Sequence, residues 1–144
     1  MKGLLLIITL GGERVAISAD EVESVVEIEG LTPVPRAAGH VAGLSALRSR
    51  VLTVIDCLAS LGLGVSSIDG PRDAIVVEAD GHPYALLVDG VEDVIEFAGE
   101  IRPVRTSLGH GWRRVARGMV EAEGDLLLLI DSHALLGGAA AQAA

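Results

Sequence analysis

Large aromatic side chains are almost missing from this chain: among 144 residues the only Phe, Tyr or Trp are Tyr84, Phe97 and Trp112. Single-stranded nucleic acid is held largely by flat rings on which bases stack, so the shortage argues against that class of partner. Positive charge is scarce as well. Eleven Lys and Arg stand against twenty Asp and Glu, for a net charge of −9. That balance repels a phosphate backbone, because affinity for it comes from basic side chains displacing counterions. An anionic membrane is a poor partner for the same reason. Cys57 is the only cysteine, which rules out an intrachain disulfide and is compatible with a reducing cytosol. Long apolar runs are lacking too. The stretch Leu4 to Leu10 is broken by Thr9 and ends in Gly11-Gly12-Glu13-Arg14. No stretch approaches the roughly 18 apolar residues of a spanning helix, so direct membrane insertion is not expected. The first run reads as a buried strand, not as a signal peptide.

What the chain does have is Val, Leu, Ile and Ala. Half of it is apolar and 22% is charged, enough to bury a substantial core and too apolar for a disordered segment. This length suits one ordinary domain, or two small barrels sharing a core.

The sequence also matches itself. Residues 14–28 lie over 83–97, and six of the fifteen pairs are identical: Ala16/Ala85, Asp20/Asp89, Val22/Val91, Glu23/Glu92, Val25/Val94 and Glu27/Glu96. A second match follows in the same order, with Gly43-Leu44 over Gly118-Met119 and 52–61 over 127–136. The offset grows from 69 to 75, placing about six extra residues between 98 and 117. A period this long indicates duplication of a small unit, not a solenoid.

Each half reads as short strands with turn punctuation. Asp80-Gly81 is a strong hairpin signal between strands 73–79 and 83–88, and Glu123-Gly124 plays a similar part before Leu126 to Ile130. Ser18 with Glu21 has the spacing of a capping box, which predicts a helical turn over 19–24. Asp56 and Asp131 end apolar strands and are candidate N-caps for turns over 57–61 and 132–136. Many short strands at this spacing predict an all-β fold, and duplication favours two small barrels.

Little here suggests chemistry. His40, His82, His110 and His133 are scattered and read as exposed loop residues, and no metal site is expected. Nucleophile elbows and phosphate-cradling glycine loops are absent. Gly109-His110-Gly111 reads as a flexible loop. Cys57 reads as a small buried hydrophobe, although its counterpart Ser132 favours some exposure. The acidic pairs Glu27/Glu29 and Glu121/Glu123 read as the wet face of a half-buried sheet. Neither catalysis nor a cofactor is expected. More suggestive is charge placement. Arg102, Arg105, Arg113, Arg114 and Arg117 fall within sixteen residues, which is either a solvated loop or an electrostatic docking patch. Arg48 and Arg50 flank Ser49, and Glu27 is the carboxylate expected to pair with them.

These residues resemble the CheW family over nearly the whole chain. VESVVEI (22–28) followed by Pro33 and Pro35 is similar to the family's V-x-E-V segment and loop. VAGLSALRSRVLTVIDCLASLGL (41–63) resembles its central signature, roughly V-x-G-L-x-N-L-R-G-x-V-x-P-V-I-D-L. IVVEADGHPYALLVDGVEDV and then GMVEAEGDLLLLID follow the family's order in the second half. The resemblance implies two SH3-like five-stranded barrels with short helical turns, in a single domain over 1–136. One subdomain would span about 13–70 and the other 1–12 plus 71–136, with 137–144 a flexible tail. It implies a non-catalytic cytoplasmic adaptor at membrane-associated arrays. Such an adaptor couples the cytoplasmic tip of a chemoreceptor to the regulatory domain of a CheA-type histidine kinase. By position, Glu27 and Arg48 match a family ion pair near a receptor-facing groove, with Val25, Leu44 and Leu47 as apolar neighbours. Ala46, Ser49 and Thr53 depart from the family's Asn, Gly and Pro. The alternatives are a CheW-like scaffold of another system, such as twitching motility, with a non-receptor partner, or a small-molecule sensor.

Overall fold

The computed structural model describes residues 2–67 and 69–137. Among them lie ten strands. The first five are Lys2–Leu10 (β1), Glu13–Ser18 (β2), Ser24–Ile28 (β3), Val41–Leu47 (β4) and Arg50–Asp56 (β5). The second five are Arg72–Ala79 (β6), His82–Leu87 (β7), Gly90–Ala98 (β8), Ala116–Ala122 (β9) and Asp125–Ile130 (β10). Two α-helices, Cys57–Leu61 (α1) and His110–Val115 (α2), and two 3-10 turns, Ala19–Glu21 and Ser132–Leu136, complete the described residues.

Turn chemistry sets the register. Gly11-Gly12, Asp80-Gly81 and Glu123-Gly124 each join two strands, and all six residues have φ between 51° and 82°. Paired left-handed residues make the type I′ turn, whose twist matches that of the strands it connects. The fourth two-residue turn, Arg48-Ser49, is left-handed only at Arg48, with φ 58°.

The strands form two sheets, in the orders β8-β1-β2-β10-β9 and β3-β6-β7-β5-β4. Under the internal repeat β2 corresponds to β7, β3 to β8, β4 to β9 and β5 to β10, and the two orders become the same order. The registers agree as well. Leu129 lies beside Ala16 in the parallel pair β10–β2, and their images Val54 and Ala85 lie together in β5–β7. Val94 opposes Leu6, as Val25 opposes Ile75. Each barrel therefore combines the leading hairpin of one repeat with the last three strands of the other. This differs from the expected division at residues 12/13 and 70/71. Residues 13–18 stay with β1, because a two-residue turn holds β2 antiparallel against it. Strands β6 and β7 join β3–β5 instead. Residues 138–144 of the expected tail lie outside the described residues.

The segment after β3 and the segment after β8 each curl round to bridge the far edge, through Thr32–Leu44 and Arg102–Met119. Gly43 and Gly118 make that approach feasible. A Cβ on either would lie 2.7 Å from the carbonyl oxygen of Thr32 or of Arg102.

The core has three parts. Leu5, Ile7, Ala16, Phe97, Val120, Leu127 and Leu129 fill one barrel, and Ile28, Leu52, Val54, Ala74, Val76, Ala85 and Leu87 fill the other. Between them Leu6, Ile8, Leu10, Ile17, Ile55, Ile75, Val77, Leu86 and Ile130 form a shared layer. Strands β1 and β6 are thus buried on both faces along their middles, which is why Leu5 to Ile8 reads as a continuous apolar run and not as an alternation.

Asp56 caps α1, its carboxylate accepting from Leu58 N at 3.1 Å and Ala59 N at 3.3 Å, and Asp131 accepts from His133 N at 3.0 Å. The turns expected at 57–61 and 132–136 stand where the two aspartates predict. The Ser18 capping box is not made: the turn is confined to 19–21 and Ser18 caps nothing with its side chain. The Gly109-His110-Gly111 segment is not a flexible loop but the start of α2, built in the extra residues of the second repeat. There Gly111 lies against the end of α1 so closely that a Cβ would sit 1.8 Å from the Leu61 carbonyl oxygen. Gly111→Ala is expected to cost more than about 3 kcal/mol, since backbone on both sides has to move. Gly39→Ala, which meets no atom within 4 Å, is expected to stay within about 0.5 kcal/mol. Urea unfolding midpoints of the two variants check this.

Candidate functional site

The hairpin of β4 and β5 ends at one side of its barrel, and beside it runs the exposed edge strand β3. Between them lies a groove of about 340 Å³ lined by Glu23, Val25, Leu47, Arg48, Ser49 and Arg50, among others. Val26 and Ile28 turn into the barrel core, so Val25 and Glu27 face outward, with Val25 47% exposed. Leu47 is half-buried and packs on the same core. Leu44 is half-buried outside the barrel core, opposite Thr53.

The structure brings Val25, Leu47 and Arg48 to one groove, and it does not bring Glu27 and Arg48 into an ion pair. Arg50 pairs with Glu23 instead, and Arg48 is exposed with no ion pair among the described residues. The reason is geometric. Glu27 sits opposite Asp73 at the β6 side of β3, whereas Glu23, at the start of β3, lies within reach of Arg50. The repeat gives no clue to this pair: Glu23 is identical to Glu92, but the counterpart of Arg50 is Asp125, and Arg14 bridges those two carboxylates at 2.6 Å and 3.0 Å.

The basic cluster at 102–117 does not form one patch. Arg102 pairs with Glu121 at 3.2 Å and Arg117 with Glu21 at 3.4 Å. Arg114 is drawn inward, donating to the Ala134 carbonyl, to Ser60 O at 2.8 Å and to Ser60 Oγ at 2.9 Å. Burial lowers its pKa, yet the guanidinium stays charged and ties α1, α2 and the 132–136 turn together. Among the described residues of this segment, Arg105 and Arg113 are the exposed arginines with no carboxylate partner.

One further expectation changes. His40 is half-buried, with Nε2 2.7 Å from the Leu136 carbonyl oxygen, so it is not a free loop residue. Cys57 is fully buried, as its reading as a small hydrophobe predicts, and burial pushes its thiol pKa well up, which keeps it protonated and unreactive. Its counterpart Ser132 is buried too. Glu21 is also perturbed. Burial raises its carboxyl pKa, opposed by Arg117 and reinforced by Asp131.

The model of the CheW-like domain family matches residues 4–140. The chain belongs to this family. It is similar to the chemotaxis protein CheW of Rhizobium meliloti, with 31% identity over 112 residues covering 75% of this chain and 72% of that one. The chemotaxis protein CheW of Thermotoga maritima shares 26% over 119 residues, 83% of this chain and 78% of that one. Among solved structures, the scaffolding protein TtCheW of Thermoanaerobacter tengcongensis superposes with a TM-score of 0.76 at 25% identity, covering 94% of this chain and 92% of that one. Two five-stranded barrels in a CheW-like chain make this a chemotaxis coupling adaptor by family. No helix among the described residues is long and apolar enough to cross a membrane.

The departures from the CheW pattern are now placed. At the hairpin tip the left-handed residue is Arg48, not Ser49, so the backbone at 49 does not require glycine. Ala46 is exposed opposite Val51. Thr53 lies between Leu44 and Tyr84 in an inner strand. Arg114→Ala is expected to lower stability by about 2–3 kcal/mol, because it strands carbonyls that the guanidinium satisfies. Arg113→Ala, solvated, is expected to stay within about 0.5 kcal/mol. Thermal and chemical denaturation of the pair distinguish a structural arginine from a surface one.

Proposed function

We propose that this CheW-like chain is a non-catalytic adaptor in the cytoplasm that holds a chemoreceptor tip and the regulatory domain of a CheA-type kinase in one fixed register. The observation that carries this reading is a pair of matched exposed apolar positions. Val25 and Val51 are 47% and 61% exposed on one barrel, and their repeat images Val94 and Leu126 are 52% and 56% exposed on the other. Apolar side chains left in water on both barrels, at positions that the duplication keeps equivalent, suit a protein with two separate docking faces.

The receptor-facing surface in this reading is the β3/β4–β5 groove. Val25, Leu44 and Leu47 supply apolar contact, Arg48 an unengaged cation, and Glu27 a carboxylate on the same outward face of β3. Arg48 anchors the partner beside the apolar residues and Glu27 at the rim steers encounter, with roughly 800 Å² or less buried on each side. The mechanism is mechanical: a rigid body with two faces transmits receptor displacement to the kinase. A CheW-like scaffold for another chemosensory system would use the same two faces, and its partners would separate it from this reading. A small-molecule sensor has less support, because the open groove beside Arg48 gathers no convergent buried polar groups.

Arg48→Ala is expected to weaken receptor-tip binding by about tenfold or more, as truncation of a central arginine anchor does. Because Arg48 is exposed, unpaired and left-handed, the same variant should melt as cooperatively as the wild type. Co-sedimentation with receptor fragments and kinase regulatory domain measures the first, and a thermal melt the second. Retention of both partners by a double variant, Val25→Glu with Arg48→Ala, would remove this groove from the binding surface.

A further inference from the structure

One cluster outside the groove brings together side chains that the sequence keeps far apart. Glu21 stands in the 3-10 turn that carries the chain from β2 in one barrel to β3 in the other, and Asp131 and His133 stand just after β10. Their ligand atoms all lie within 4.8 Å of one another. Glu21 Oε2 is buried without any hydrogen-bond partner, while Oε1 accepts from Arg117 at 3.4 Å. His133 Nε2 lies 2.9 Å from the carbonyl oxygen of Glu78. A carbonyl only accepts, so Nε2 carries a ring proton, and in the neutral imidazole the lone pair is then on Nδ1, 3.9 Å from Glu21 Oε1. Asp131 uses one oxygen to cap the following turn through His133 N, and the cap holds the histidine next to its neighbours.

The geometry points to a divalent transition-metal site, of the kind that takes Zn²⁺, formed by Glu21, Asp131 and His133 at the seam between the two barrels. The imidazole is oriented as in known protein metal sites, with its distal N–H tied to a backbone carbonyl and the other nitrogen free to coordinate. Two carboxylates and one imidazole form a mixed oxygen and nitrogen set that suits Zn²⁺ better than Mg²⁺ or Ca²⁺, which prefer oxygen alone. Zinc ligands at about 2.0–2.2 Å place neighbouring donor atoms roughly 3.3 Å apart. Donor atoms within 4.8 Å of one another therefore have to close by up to about 1.5 Å onto the ion. A cation would also engage the buried oxygen of Glu21. Arg117 offsets one of the two carboxylate charges and leaves the pair net negative. The cluster is not a by-product of duplication. The counterparts of Glu21 and His133 are Gly90 and Leu58, and only Asp131 has a like residue, Asp56.

Binding is tested on the full chain with ZnCl₂ alone, in chelator-free buffer at neutral pH, by calorimetry and by thermal shift. One equivalent should bind and raise the melting temperature, because the ion joins the barrel-to-barrel crossover to the end of β10. Glu21→Gln and His133→Ala should each weaken binding by about tenfold or more, whereas His82→Ala should leave it unchanged. Asp131→Asn serves as a third ligand variant should either of those fail to fold, and an equal concentration of Mg²⁺ should give no shift. Absence of a one-equivalent isotherm overturns the site. So does an isotherm that survives Glu21→Gln and His133→Ala, which would place the ion on other histidines of the surface.

Discussion

The structure depends on the exchange of hairpins between its two repeats. The hairpin β1–β2 bonds to β8 through β1 and to β10 through β2, and the hairpin β6–β7 bonds to β3 through β6 and to β5 through β7, the β2–β10 and β7–β5 contacts being short parallel pairs that reach across the duplication. Neither repeat can complete its barrel alone. Each one lacks the hairpin that the other supplies, and a three-stranded remnant would leave its edge groups unpaired. The shared layer then follows by necessity, because β1 and β6, donated to the opposite barrels, carry apolar side chains on both faces. Leu6, Ile8, Ile75 and Val77 bury against one another between the barrels. The two barrels are coupled as a rigid unit, which is the property an adaptor needs if displacement on one face is to be felt on the other.

Much of this was legible in the sequence, and the reasons are local. Two-residue turns rich in glycine fix hairpins with no help from the rest of the fold, so Asp80-Gly81 and Glu123-Gly124 stand where they were expected. Capping by Asp56 and Asp131 needs only the residues that follow them. The repeat carries the long-range information, since matched positions occupy matched registers. The resemblance puts residues 1–12 with the second barrel, where β1 pairs with β8, but that β2 goes with β1 and that β6 and β7 cross in return was not legible. A one-dimensional repeat is equally satisfied by two self-contained barrels and by two that exchange strands, and the periodicity of side chains is identical in both. The boundary expected near residues 12 and 70 fell on that ambiguity.

The candidate groove shows a similar limit. Val25, Leu47 and Arg48 converge because they lie on a hairpin tip and the facing edge strand, and family position is enough to gather them. The ion pair was misassigned, since pairing depends on reach across the barrel and not on sequence distance. Glu23 rather than Glu27 meets Arg50. The arginines of 102–117 failed for the same reason. A charge cluster in sequence dispersed once α2 turned Arg114 toward Ser60 and Ala134, leaving Arg102 and Arg117 to separate carboxylates.

Duplication gives the two barrels one architecture, so whatever distinguishes their roles has to come from positions where the copies disagree. The extra segment of the second copy builds α2, which packs against the end of α1 through Gly111. Arg48, left-handed at the hairpin tip, has Glu123 as its counterpart, so the corresponding turns present opposite charge. Glu21 and His133 have no like residue across the repeat. An adaptor binding two unlike partners needs this combination: a common scaffold that fixes the distance between its faces, and charges that differ between equivalent sites so that each face rejects the other's partner.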